Sequence, residues 1–230
     1  MYCNHIRFGP GTGGEPSRFE AAPGGYWGGL ADTGTAYLAA PGEFPPRLLR
    51  FHPLWPSGLA IRRPFFVAIG GWDERLAGIR GEDNEFTLRA TAAGSVGMLK
   101  APLTRYRWSH GQARISSARQ SLGELQVLQF CLAHHKAAAA PSLRSALTAA
   151  IRRGLHMCFY ESCKSGELDL ARRFAAEVRQ DGARLAEQLK VLALLLPDGL
   201  AGLIFRLWHA LSRPAQRWRI RLARRAGRCR

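Results

Sequence analysis

Apolar positions fall into three regimes along the chain. Residues 1–58 keep no sustained period of 3.6 or 2 and are broken by Gly9-Pro10-Gly11-Thr12-Gly13-Gly14 and Phe44-Pro45-Pro46, which predicts mostly loop after a strand-like run from Met1 to Phe8. Residues 59–110 switch to short elements. Leu59-Ala60-Ile61 suits a buried strand, Pro64 opens a helical turn through Ile69, and Gly70-Gly71 stops it. A helix is predicted from Gly81-Glu82-Asp83-Asn84, with Phe86, Leu88, Ala90 and Ala93 as its apolar positions and Gly94 as a C-cap signal. Carboxylates in its first turn suit the helix dipole. Val96 to Leu99 and Leu103 to Trp108 predict two short strands separated by Pro102. From about Ser117 the period is helical, in Leu122, Leu125, Leu128 and Leu132, then in Leu147, Ile151, Leu155 and Phe159. A third helix is predicted over Leu168 to Leu189. Pro197-Asp198-Gly199 splits the apolar run from Val191 to Leu211 into pieces shorter than the ~20 residues that span a bilayer. This order predicts an α/β domain over residues 1–116 and a helical region over residues 117–230.

Composition supports a real core, with 47% hydrophobic residues in a chain of 230. The net charge of +16 matters less than its distribution. Residues 1–110 carry 12 basic against 9 acidic side chains, residues 111–198 carry 12 against 8, and residues 199–230 carry 9 arginines and no acid. A weakly charged body with an acid-free arginine tail predicts a tethering surface for an anionic membrane or a polyanion rather than a nucleic-acid-binding body. Arg217, Arg219, Arg221, Arg224, Arg225 and Arg228, behind Leu203, Ile204, Phe205, Leu207, Trp208 and Leu211, have the composition of an interfacial helix. The five cysteines form no CxxC pair and the amino terminus has no signal-peptide pattern, which predicts free thiols and a cytoplasmic protein, peripheral on the cytosolic face of a membrane.

Chemistry concentrates between Ile69 and Asp83. A double glycine lets backbone approach a ligand, an aromatic face stacks on a pyranose ring, and a carboxylate opening a helix is held rigidly yet stays reachable. Gly70, Gly71, Trp72, Asp73, Glu82 and Asp83 supply these parts in order. Each has a plainer reading: Glu82, Asp83 and Glu85 as acids serving the helix dipole, Trp72 as an aromatic packed under its own loop. His134, His135 and His156 are expected on helix surfaces, and the GPGTGG stretch, without a Lys-Ser/Thr ending, as a loop.

The stretch Arg62-Arg63-Pro64-Phe65-Phe66-Val67-Ala68-Ile69-Gly70-Gly71-Trp72-Asp73-Glu74-Arg75-Leu76, followed by Gly81-Glu82-Asp83-Asn84-Glu85-Phe86-Thr87-Leu88-Arg89-Ala90 and Tyr106-Arg107-Trp108-Ser109-His110, resembles family 2 glycosyltransferases over roughly residues 55 to 117. The resemblance implies the acceptor-side half of a GT-A domain, a truncated mixed sheet with flanking helices, acting with inversion on a nucleotide-diphosphate sugar and a carbohydrate or lipid-linked acceptor. It makes Asp83 the catalytic base and Glu82 a residue that orients the acceptor. Gly70, Gly71 and Trp72 line the sugar pocket, Asp73 braces their loop, and His110 sits near the diphosphate or its divalent metal, Mg or Mn. The family's DxD-like metal motif has no counterpart in residues 1–58, so the expectation is either a truncated gene product lacking the nucleotide-binding half or a true start upstream of Met1. The alternative is a catalytically silent acceptor-binding or membrane-associated fragment.

Overall fold

The computed structural model describes residues 1–10, 12, 14–107 and 116–210. Among them the packing forms two compact units, one within Met1–Ile115 and Leu122–Arg153, the other within Ser116–Ser121 and Gly154–Arg230. The change of composition at residue 117 therefore does not coincide with the change of packing, because the helix that begins there serves both units.

The first unit is mixed α/β. Its sheet has the order β1-β4-β3-β2, from β1 (Tyr2–Phe8), β2 (Ala31–Asp32), β3 (Ala36–Ala39) and β4 (Val96–Arg107); β1 runs parallel to β4, and the other pairs are antiparallel. Two predicted strands, split at Pro102, are thus one strand. β3 pairs only with Val96 to Leu99, so at Pro102 β4 has β1 alone beside it, and the β1–β4 register slips on either side of Asn4. A proline is tolerated at such an irregular, one-sided position. Leu59 reaches the sheet only through an isolated bridge to Tyr2, not as a strand.

The Gly/Pro-rich opening is far more ordered than its lack of period predicts. Trp27 stacks on Tyr37 with centroids 4.6 Å apart, and Tyr26 meets Phe44 and Phe51 edge-on. Phe19, Tyr26, Phe44, Leu48 and Leu54 are buried with Met98 and Leu88 in one core. Polar ends are satisfied too: Trp27 Nε1 donates to the Phe19 carbonyl at 3.1 Å and Tyr26 Oη to that of Phe51 at 2.8 Å. Aromatic anchoring replaces periodic structure here.

Three helices precede β4: α1 (Pro45–Leu48), α2 (Arg63–Ala68) and α3 (Glu82–Ala93). Gly94 follows α3 in extended backbone, φ −142°, so the expected left-handed cap is absent. What the position needs is space, since a Cβ there would stand 2.6 Å from the Phe65 ring. Then come α4 (Ser117–His134), α5 (Pro141–Ser165), α6 (Leu168–Gln180), α7 (Leu185–Ala193) and a helical stretch over 198–210. The single helix expected over Leu168 to Leu189 is two, because Asp181-Gly182, with Gly182 at φ 89°, turns the chain. Among the described residues no helix is long and apolar enough to cross a membrane.

Candidate functional site

The double-glycine loop sits on the first turns of α3. Gly70 and Gly71 adopt φ of 90° and 63°, the left-handed region that favours glycine, and a Cβ on Gly71 would press on the Phe66 ring at 3.3 Å. Arg89, two turns into α3, fixes the loop by donating from Nη2 to the Gly71 carbonyl at 2.7 Å and from Nη1 to that of Ile69. Its other edge grips Glu85, with Nε to Oε1 at 2.7 Å and Nη2 to Oε2 at 3.0 Å. His135 Nε2 closes on Glu85 Oε1 at 2.6 Å. Glu85 is 1% exposed. Burial works to raise this carboxyl, but the hydrogen bonds from His135 and Arg89 outweigh it and hold it below its ordinary value. Glu85 is therefore a buried structural anion, and His135 is no surface residue.

Trp72 packs on Phe86 of α3 with centroids 4.3 Å apart, yet is 42% exposed. An indole seated this way can still offer area to a ligand. Asp73 is turned toward its own chain: Oδ1 accepts from the Arg75 backbone N–H at 3.0 Å and from Nε at 2.9 Å, while Oδ2 takes Nη2 at 2.7 Å. Those hydrogen bonds hold its carboxyl at about 2. Asp73 thus caps the 3-10 turn Glu74–Leu76.

Asp83 differs from both. It is half-buried in the first turn of α3, its Oδ1 accepts from the Asn84 backbone N–H at 3.1 Å, and it makes no ion pair among the described residues. Burial raises its carboxyl first, and the neighbouring charges of Glu82 and Glu124 raise it further. Glu82 beside it is exposed. The backbone of Asp83 is fixed from below, because Thr87 Oγ1 donates to its carbonyl at 2.8 Å and Tyr2 Oη of β1 lies 3.1 Å from that hydroxyl. The entry to α3 is equally constrained. Gly81 is left-handed at φ 93°, and Gly123 of α4 lies so close to Arg80 that a Cβ would stand 2.7 Å from its carbonyl oxygen.

Of the residues singled out from sequence, Glu82 and Asp83 open α3, the Gly70-Gly71 loop is tied to Arg89 and Trp72 packs on Phe86 of the same helix, while Asp73 faces Arg75. His110, with Trp108, lies outside the described residues, as does the arginine run from Arg217 to Arg228. Among the described residues no three His, Cys, Asp or Glu side chains converge to hold a metal ion. No protein-family model, curated protein or solved structure matches the chain. Sequence reading missed Glu85 as the anchor with His135 as its support, Tyr2 as the support of Asp83 through Thr87, and Gly123 as a contact point. Those partners stand tens of residues apart, and only the i,i+4 spacing of Glu85 and Arg89 was a visible signal.

Proposed function

We propose that this site is the acceptor side of an inverting, family 2-like glycosyltransferase using a nucleotide-diphosphate sugar, at the cytosolic face of an anionic membrane. The observation that carries the proposal is Asp83: a half-buried carboxyl with no cation paired to it among the described residues, raised by burial and like charge, on the helix that also seats the glycine loop and an open indole. A general base works best when its affinity for the proton is lifted toward working pH, whereas a structural carboxylate is ordinarily paired and depressed, as Glu85 and Asp73 are. In the proposed step Asp83 takes the proton of the acceptor hydroxyl as its oxygen attacks the anomeric carbon. The carbon–oxygen bond to the diphosphate breaks, and the nucleoside diphosphate leaves with the electron pair. Glu82 orients the acceptor; Gly70, Gly71 and Trp72 form the wall on which the sugar rests. The described residues do not make a binding set for the divalent metal that the family resemblance implies, so no step is routed through one.

The test is transfer from a panel of nucleotide-diphosphate sugars by the full chain and by Asp83→Asn. Loss of a general base lowers turnover by roughly a hundredfold or more, while the melting temperature of Asp83→Asn should not fall, because no ion pair among the described residues is lost. Undiminished transfer would remove Asp83 from the reaction. Failure of the full chain to bind any nucleoside diphosphate would favour the silent acceptor-binding fragment.

A further inference from the structure

In the second unit, the most unusual side chain is Lys190 of α7. It is 8% exposed, and it makes no hydrogen bond or ion pair among the described residues. Its ammonium lies over the Tyr160 ring at 4.4 Å and near that of Trp208 at 5.9 Å. The carboxylates in reach of its field, Glu161 and Glu187, are engaged elsewhere: Lys164 and Ser117 hold Glu161, and His156 holds Glu187. Burial lowers the affinity of this amine for its proton, with Cys163, Glu187 and Glu161 opposing. Buried charges in folded proteins are paired, so a cation set against ring faces and the Cys163 thiol, with no carboxylate bonded to it among the described residues, is a cation awaiting an anion.

The ammonium lines a cavity of about 20 Å³ shared with Tyr160, Lys164, Phe205, Trp208 and His209. That is room for one water-sized group, hence for an oxygen of a phosphate whose remainder stays outside. A free ion held by one oxygen gains little, whereas a headgroup already fixed in a surface does not need enclosure. The helical stretch over 198–210 supplies contacts for such a surface. Ala201 and Phe205 point inward, while Leu200, Leu203 and Leu207, spaced at i, i+3 and i+7, are about half exposed. Phe205, counted from sequence with the lipid-facing set, is in fact core at 3%. Residues 199–230 bring 9 arginines and no acid to the same end of the chain.

We infer that the cleft between α5, α7 and the 198–210 helix is a phospholipid headgroup site, in which Lys190 receives a phosphate oxygen while Leu200, Leu203 and Leu207 enter the interface. Two general forces act together: an anionic leaflet attracts the basic segment, and apolar burial holds the helix in the interface plane. The inference is independent of Asp83 and of the transferase reading, since Asp83→Asn must leave lipid binding unchanged.

The experiment measures partition of the full chain onto phosphatidylcholine vesicles with and without about a third phosphatidylglycerol, where a surface charge typically changes binding roughly fivefold. Lys190→Met keeps the aliphatic stem and removes the charge; Arg206→Met removes an exposed charge from the 198–210 helix. The expected result is a loss of roughly tenfold or more for Lys190→Met and about fivefold or less for Arg206→Met, with Lys190→Met at least as heat-stable as the parent without vesicles. Lys190→Gln gives the same comparison should the methionine variant not fold. Equal losses in the Lys190 and Arg206 variants would reduce the effect to a diffuse field and overturn the site. So would failure of the parent chain to discriminate the two vesicles. Displacement from vesicles by inorganic phosphate at the concentration of lipid phosphate would make the ligand the free ion and overturn the lipid assignment.

Discussion

Glu85 and Asp83 stand two positions apart on one helix and do opposite jobs. Glu85 is closed off by Arg89 and His135, so its charge serves structure; Asp83, among the described residues, has backbone donors and no cation, and keeps its charge available. Sequence made them look alike, as two acids in a first turn. Asp83 was legible through its place after Gly70-Gly71-Trp72, but the closure of Glu85 depends on His135, 50 residues away, and no local pattern announces it. Removing one member of a buried pair leaves an uncompensated charge. Arg89→Met is therefore expected to destabilise the first unit by about 3 kcal/mol or more. It also frees the Ile69 and Gly71 carbonyls, so the loop should gain amide exchange around Gly70. Urea unfolding and hydrogen exchange check both, and Glu85→Gln combined with Arg89→Met should recover part of the loss, because the buried charge is then gone.

Among elements, α3 was the most readable, its acidic start and Gly94 end lying within a residue of the observed bounds. β4 was not, since a proline reads as a break unless one knows that β3 ends before it. The loops of residues 9–58 hold through rings rather than period, and ring contacts between Trp27 and Tyr37 leave no periodic trace. The α4 contact with the loop before α3 shows how one missing atom can set an element's position. Alanine inside a helix is worth about 1 kcal/mol over glycine, which alone makes Gly123→Ala stabilising. The new Cβ would meet Arg80 backbone at 2.7 Å, and backbone cannot swing aside as a side-chain end can. Overpacking of this kind costs roughly 1–3 kcal/mol, so the net expectation is a loss. Because Gly81 and Glu82 follow at once, the same variant should lower transfer by displacing Asp83. Denaturant melts and the transfer assay of the parent and Gly123→Ala decide it; a more stable variant with unchanged transfer would mean the loop is free to move.

Across the whole molecule, the two units should answer pH in opposite senses. In the first unit His5 and His52 are each held to about 4: burial comes first for both, Arg18 adds to it for both, and Arg7 for His5. His52 Nε2 is buried without a partner among the described residues, so protonation gains it nothing there. An imidazole with a depressed folded value is protonated sooner in the unfolded chain, from about pH 6.5 downward. Stability of this unit is thus full above 6.5 and falls as pH drops toward 4, by an amount on the order of several kcal/mol. Glu85 extends the loss below its ordinary 4.5, where its protonation releases Arg89 and His135. The second unit holds the opposite device. His156 lies between Glu187, 2.7 Å from Nδ1, and Asp181, 3.0 Å from Nε2, tying α5 to the start of α7 and to the turn that follows α6. Burial works to lower it, but the two carboxylates win and raise it above 6.5. Only the imidazolium donates from both nitrogens, so this contribution is full below 6.5 and is lost as pH rises through the raised folded value. Calorimetry between pH 4 and 9 should accordingly resolve one transition that weakens in acid and another that weakens in base, with His156→Asn flattening only the second. Transitions that move together at every pH, or a basic limb that survives His156→Asn, would show that these histidines do not govern the stability of their units.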